Sequence, residues 1–262
     1  MAVCVAGMHR SGTSMVARVL NLLGVDLGPE GEQPRPAPDN EAGFWEDPRF
    51  VALNDELLAR LGGAWDQPPA APDWDGERLD DLRGKARGLI ASFRGRAPWG
   101  WKDPRNSLVL PFWRSLLPGL HVVVVVRNPL DVAASLHERN GFPFEQGLRL
   151  WRTYNEAVLA TAPPHRRLVT PYEAYFTDFD REIRRAAAFL ELEAGAERRD
   201  AALESVRGSL RHHRFDESAM RSEAGSDVLA LFERLRVEAD APIPAEAAVG
   251  AWHPATSTGT EG

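Results

Sequence analysis

The sequence predicts an α/β protein with three α/β/α layers around a central parallel sheet, and three observations carry that expectation. A short apolar run, Ala2 to Ala6, stops at Gly7 and leads into a stretch of helical period from Thr13. Five consecutive valines, Val122 to Val126, have the composition of a strand covered on both faces. Strand-like runs alternate with helical stripes along the chain, the order that builds a parallel sheet. At 262 residues the simplest organisation is one large domain, spanning 1–238, with a flexible tail over 239–262.

Element by element, Ala2 to Ala6 reads as the first strand. Met15, Val16, Val19, Leu20 and Leu23 then recur at helical spacing until Gly24. Residues 28–43 mix proline, glycine and acid without period, so a lid loop is expected over about 28–48. Phe50, Leu53, Asn54, Leu57, Leu58 and Leu61 form the next stripe, followed by a second lid loop over about 62–78. Leu79, Leu82, Ala86, Leu89, Ile90 and Phe93 make another helical face before a short strand through Trp99 and Trp101, two tryptophans expected in the core.

The strand His121 to Val126 should be central. Asn128 suits the cap of the helix after it, Pro129 its first position, and Asp131 its positive end. Arg167 to Thr170 reads as a strand, Phe179 to Leu192 and 197–210 as helices. The closing Ala, Pro, Thr and Gly-rich segment reads as the frayed tail.

Composition narrows the function. A net charge of −7 disfavours a general nucleic-acid or anionic-membrane binder, so any anion site must be local. The single cysteine, Cys4, excludes an internal disulfide or a multi-cysteine metal site. The chain opens on a strand with no export signal ahead of it, and no apolar run approaches the roughly 20 residues of a membrane-spanning helix. A cytoplasmic protein is expected, without stable membrane insertion and without a metal; the adjacent His212 and His213 diverge on a helix and do not chelate together.

Two motifs point to anion chemistry at the carboxyl ends of strands, where ligands of such sheets bind. In Gly7-Met8-His9-Arg10-Ser11-Gly12-Thr13-Ser14, a strand enters and a helix leaves, so backbone amides and the helix end can face a phosphate. The lysine of an ATP or GTP loop is absent: Thr13 stands in its place, and Arg10 is the fixed cation. The second motif, Arg127-Asn128-Pro129-Leu130-Asp131-Val132-Ala133-Ala134-Ser135, follows the valine strand and sets a guanidinium at its carboxyl end.

On these two motifs the sequence resembles the sulfotransferases that use 3′-phosphoadenosine 5′-phosphosulfate (PAPS). The resemblance covers roughly residues 1–192, with WKDPR, GFWED and VTPYEAY in support. It implies a P-loop NTPase-like fold and PAPS as sulfuryl donor, with the loop residues Gly7, His9, Arg10, Ser11, Gly12, Thr13 and Ser14 binding the 5′-phosphosulfate. Arg127 and Ser135 would bind the 3′-phosphate. Arg10 stands where many members carry lysine. A late basic segment, 209–214, often closes over the nucleotide in that family, which puts Arg214 on the cofactor.

Sulfuryl transfer then calls for cations near the bridging oxygen, with Arg10 first and Lys102 second. A general base is needed for the acceptor hydroxyl, and Glu46, Asp103 and His9 all qualify, Glu46 ahead of Asp103. The implied partner is a small-molecule, sugar or lipid acceptor, taken at a hydroxyl before an amine; Phe44, Trp45, Trp65 and Trp74 are candidate lining. Two rival readings are a P-loop kinase or NTPase, which the missing lysine opposes, and a nucleotide-binding protein without catalysis.

Overall fold

The computed structural model describes residues 1–28, 45–96, 98–207, 220 and 223–240. Its sheet has four parallel strands, β1 (Ala2–Ala6), β2 (Trp99–Lys102), β3 (His121–Val126) and β4 (Arg167–Pro171), in the order β2-β1-β3-β4. β3 lies between β1 and β4 with every residue buried. Its valines divide by parity, Val122, Val124 and Val126 to one face and Val123 and Val125 to the other. Each is worth roughly 1.5 to 3 kcal/mol on burial, so a polar residue at any position of this run would be costly, whichever face it entered.

Helices cover the two faces. One carries α1 (Thr13–Leu22), α7 (Ala174–Thr177), α8 (Phe179–Leu190) and α9 (Ala196–Arg207); the other carries α2 (Pro48–Arg60), α3 (Asp80–Ala91), α4 (Asn106–Leu116), α5 (Pro129–Asn140), α6 (Phe144–Thr161) and α10 (Ser226–Asp240). Trp99 and Trp101 join Phe50, Phe93 and Trp113 in one aromatic cluster, with Trp101 and Phe50 stacked at 4.5 Å between centroids. Asn128 caps α5 as expected, its side chain accepting from the Leu130 amide at 2.9 Å.

Several elements differ from the expectation. Residues 106–116 form α4 where no helix was expected, despite the interior Pro111; Leu108, Val109, Phe112 and Trp113 bury one side of it while Ser115 is exposed. α6 and α10 also stand where no helix was expected, although the apolar stripe Leu148, Trp151, Val158, Leu159 of α6 is legible. The helix expected to reach Leu192 stops at Leu190, where Glu191 turns left-handed at φ 52°. α10 runs to Asp240, two residues into the expected tail; residues 241–262 lie outside the described residues, as do 29–44 of the first lid and Arg214. No described helix is long and apolar enough to cross a membrane.

Candidate active site

The residues that follow the four strands, Gly7, Asp103, Arg127 and Tyr172, all emerge at the carboxyl edge of the sheet. β1 leads to β2 on one side, while β3 lies on its other side, so the loop after β1 sits where strand order reverses. That loop is Gly7 to Gly12. The Gly7 amide donates to Ser107 Oγ at 2.9 Å, which moors the loop to α4. Arg10 adopts φ 70° and Gly12 φ 84°. A Cβ on Gly12 would lie 2.1 Å from the Tyr172 ring, so both conformation and contact demand glycine there.

α1 begins at Thr13 with no side-chain cap on Gly12 and no acidic residue in its first turn. An uncapped helix start carries orphan amides and partial positive charge, an arrangement that receives an anion. Ser11 is fully buried and its Oγ has no partner among the described residues; the Nε of Arg127 is likewise enclosed and unpartnered.

The two motifs meet. Arg10 Nε donates to Ser135 Oγ at 2.8 Å, and Arg127 Nη1 donates to the Arg10 carbonyl at 3.1 Å. Arg127 also lies over the Tyr172 ring, 5.0 Å from its centroid, and faces Asp131 at 3.4 Å. Its own carbonyl accepts from Trp151 Nε1 at 3.0 Å, and the neighbouring Asn128 amide donates to Glu173 at 3.1 Å. The guanidinium is therefore held from several directions while one nitrogen stays unused.

On the β2 side, Lys102 is almost fully buried and its Nζ lies 2.7 Å from Glu46 Oε1. Glu46 stands between Trp45, a non-glycine residue at φ 53°, and Asp47, whose side chain caps α2 by accepting from the Arg49 amide at 2.9 Å. A left-handed tryptophan is a local strain that the surrounding contacts must hold. Asp103 has no exposure; it accepts from Asn54 Nδ2 at 2.8 Å and from the Arg105 amide and Nη1, both at 2.9 Å. Burial pushes its carboxyl above the ordinary range, with Arg105 opposing the rise.

His9 packs against Trp65 of the second lid, 4.5 Å between ring centroids, and edge-on to Tyr154 at 5.9 Å; Tyr154 in turn donates to the Trp65 carbonyl at 2.8 Å. Its Nε2 is enclosed without a partner. Burial first, then the charges of Arg105, Lys102, Arg139 and Arg10, hold the imidazole well below its usual pKa, so it stays neutral near pH 7.

The structure thus brings Arg10 to Ser135 and Arg127, and Glu46 to Lys102, while Asp103 is turned into a buried network. Sequence reasoning passed over Asn54, Ser107, Tyr172 and Glu173 as site residues. For Tyr172 a signal existed, its place directly after a strand; for Ser107 and Asn54 there was none. Among the described residues no group of three or more His, Cys, Asp or Glu is placed to hold a metal.

The profile described as the sulfotransferase family matches residues 2–196. Among solved structures the chain is similar to the sulfotransferase domain from the curacin biosynthetic pathway, at 15% identity and TM-score 0.48, over 89% of this chain and 96% of that one. It is also similar to the sulfotransferase domain of the Synechococcus PCC 7002 olefin synthase, at 16% identity and TM-score 0.49, over 94% and 91%. A third is retinol dehydratase in complex with androsterone and inactive cofactor PAP, at 17% identity and TM-score 0.42, over 93% and 83%. No curated protein matches the chain.

Proposed function

We propose, from the premise that this chain belongs to the sulfotransferase family, that it moves a sulfuryl group from PAPS to a hydroxyl, before an amine, of a small-molecule, sugar or lipid acceptor. The observation that carries this reading is the convergence of two anion-type motifs, Arg10 Nε on Ser135 Oγ at 2.8 Å. A nucleotide phosphorylated at both its 5′ and 3′ positions needs two such sites side by side, whereas ATP needs one.

The residues fit that donor. The uncapped start of α1 and the unpartnered Ser11 Oγ suit the 5′ end, and the unused Nε of Arg127, with Ser135, suits the 3′-phosphate. The donor, when bound, supplies an activated sulfuryl group. Arg10 and Lys102 provide positive charge where the leaving bisphosphate gains negative charge, which is where electrostatic help counts most. Glu46, beside Lys102 at the mouth of β2, is the carboxylate placed to take the proton of the acceptor hydroxyl. Asp103, already accepting three hydrogen bonds and enclosed, holds Arg105 and α2 in place of acting as base. His9 lines the loop as a neutral imidazole.

Thermal unfolding in EDTA tests the reading. Adenosine 3′,5′-bisphosphate at 100 times its dissociation constant should add about 2.7 kcal/mol, which raises the midpoint by roughly 5 to 10 °C for a chain of this size. Stabilisation by magnesium-ATP in place of the bisphosphate would overturn it in favour of phosphoryl transfer.

A further inference from the structure

We propose that Asn54 is a positioning residue of the active site, fixing the register of α2 so that Glu46 meets Lys102; the inference rests on the sulfotransferase reading above. Three consecutive polar ties join the segment 46–55 to the segment 102–105. Glu46 Oε1 pairs with Lys102 at 2.7 Å, Asn54 Nδ2 donates to Asp103 at 2.8 Å, and Asp55 pairs with Arg105 at 2.5 Å. The middle tie is fully buried, while the Asp55 side chain is 52% exposed, so the energetic weight falls on Asn54.

Asn54 uses both ends of its amide. Nδ2 also donates to Asn106 Oδ1 at 3.1 Å, and Oδ1 accepts from Trp113 Nε1 at 2.8 Å. Asn106 in turn donates to the Val5 carbonyl at 3.0 Å, two residues before the phosphate loop opens at Gly7. One amide therefore connects α2, the end of β2, α4 and the strand that feeds the loop.

The rest of the buried face of α2 is Phe50, Leu53, Leu57 and Leu58. Such side chains pack nearly as well after a small slide, but a buried amide is satisfied in one docking alone. This is how a single buried polar group sets register in an otherwise apolar interface. The lever is short: Glu46 sits one residue before the Asp47 cap, and Asn54 lies on the same helix. The left-handed Trp45 leaves little freedom ahead of Glu46.

The test uses N54D, with PAPS and water as the reacting pair: the bond from sulfur to the bridging oxygen of the phosphosulfate breaks with its electron pair left on PAP, water oxygen bonds sulfur, and both water protons are released as sulfate forms. At pH 8 the introduced carboxylate would face Asp103, whose own charged neighbours are Arg105 and Glu46, with Asp55 beside it in sequence and paired to Arg105. PAP affinity should stay within about twofold, and kcat should fall on the order of 10²-fold, the scale of a misplaced reacting group. As the pH falls, the carboxyl pair takes up a proton that restores a donor toward Asp103, whose carboxyl burial already raises, and the gap to wild type should narrow. A folded N54D with wild-type kcat at pH 8, or with PAP affinity and kcat lost by the same factor, overturns the role. Should N54D fail to fold, W113F decides: it removes one bond to Asn54, and an unchanged kcat counts against the proposal. Wild-type protein that binds neither PAP nor PAPS sinks the sulfotransferase reading itself, whereas active wild type with an indifferent N54D sinks Asn54 alone.

Discussion

The Nε of Arg10 donates to the hydroxyl of Ser135 at 2.8 Å, across 125 residues of sequence. One residue leaves β1 in a left-handed turn and the other lies on the second turn of α5, so neighbouring strands β1 and β3 bring them together. The same arginine lends its carbonyl to Arg127. Arg10 is thus the contact that joins the loop after β1 to the motif after β3.

Arg10→Ala should lower the turnover of PAPS by something on the order of 10² to 10³, as for loss of one preorganised charge-stabilising donor. Arg10→Lys should recover part of that loss, since the charge returns without the planar fork. Initial rates under saturating PAPS check this, and a near-normal alanine variant removes Arg10 from the chemistry.

Arg127→Ala should weaken adenosine 3′,5′-bisphosphate. Hydrogen bonds to charged groups are worth roughly 1.5 to 3 kcal/mol each, or about 10- to 100-fold in the dissociation constant. Adenosine 5′-phosphosulfate, which lacks the 3′-phosphate, should lose little. Calorimetric titration of both ligands separates the effects; equal losses would contradict the 3′-phosphate assignment.

The two carboxylates of the β2 edge should behave differently. Glu46→Gln should reduce kcat by roughly 10² to 10⁴, the usual worth of a general base. Asp103→Asn should be felt in stability, because Arg105 loses its buried countercharge 2.9 Å away and the new amide sets a donor against Asn54 Nδ2. If Asp103→Asn kept its stability and lost all turnover, the roles would be reversed.

His9 makes stability depend on acidity. The unfolded chain takes up this proton near pH 6.5, whereas burial and four nearby cations delay it in the fold to a much lower pH. Below pH 6.5 the unfolded state binds more protons, so stability declines as the pH falls; above it the effect is absent. His121, also lowered by burial and Arg166, adds a slope of the same sign. Urea midpoints between pH 7 and 5 should therefore fall less steeply for His9→Phe than for wild type, and identical slopes would refute the neutral, enclosed imidazole.

The strands and the helices that frame the motifs were legible because their signals are local. A run of valines announces a doubly covered strand, and Asn128-Pro129 announces a helix start. α4 was passed over although Leu108, Val109, Phe112, Trp113 and Leu116 recur at helical spacing, because Pro111 in the middle of that run reads as a break. Asp103 looked like a candidate base from its place beside Lys102, and nothing in the sequence reveals that Asn54, 49 residues earlier, occupies it.

What the sequence by itself determined is the layered α/β architecture and the place of the two motifs at strand ends, since propensity, period and capping act over a few residues. Which of those side chains touch was decided only by tertiary structure. Parallel pairing places β1 between β2 and β3, and that order alone lets Arg10 reach Ser135 and sets the network of Asn54 beneath Lys102. Contacts between residues so distant along the chain depend on strand register, which no local pattern encodes.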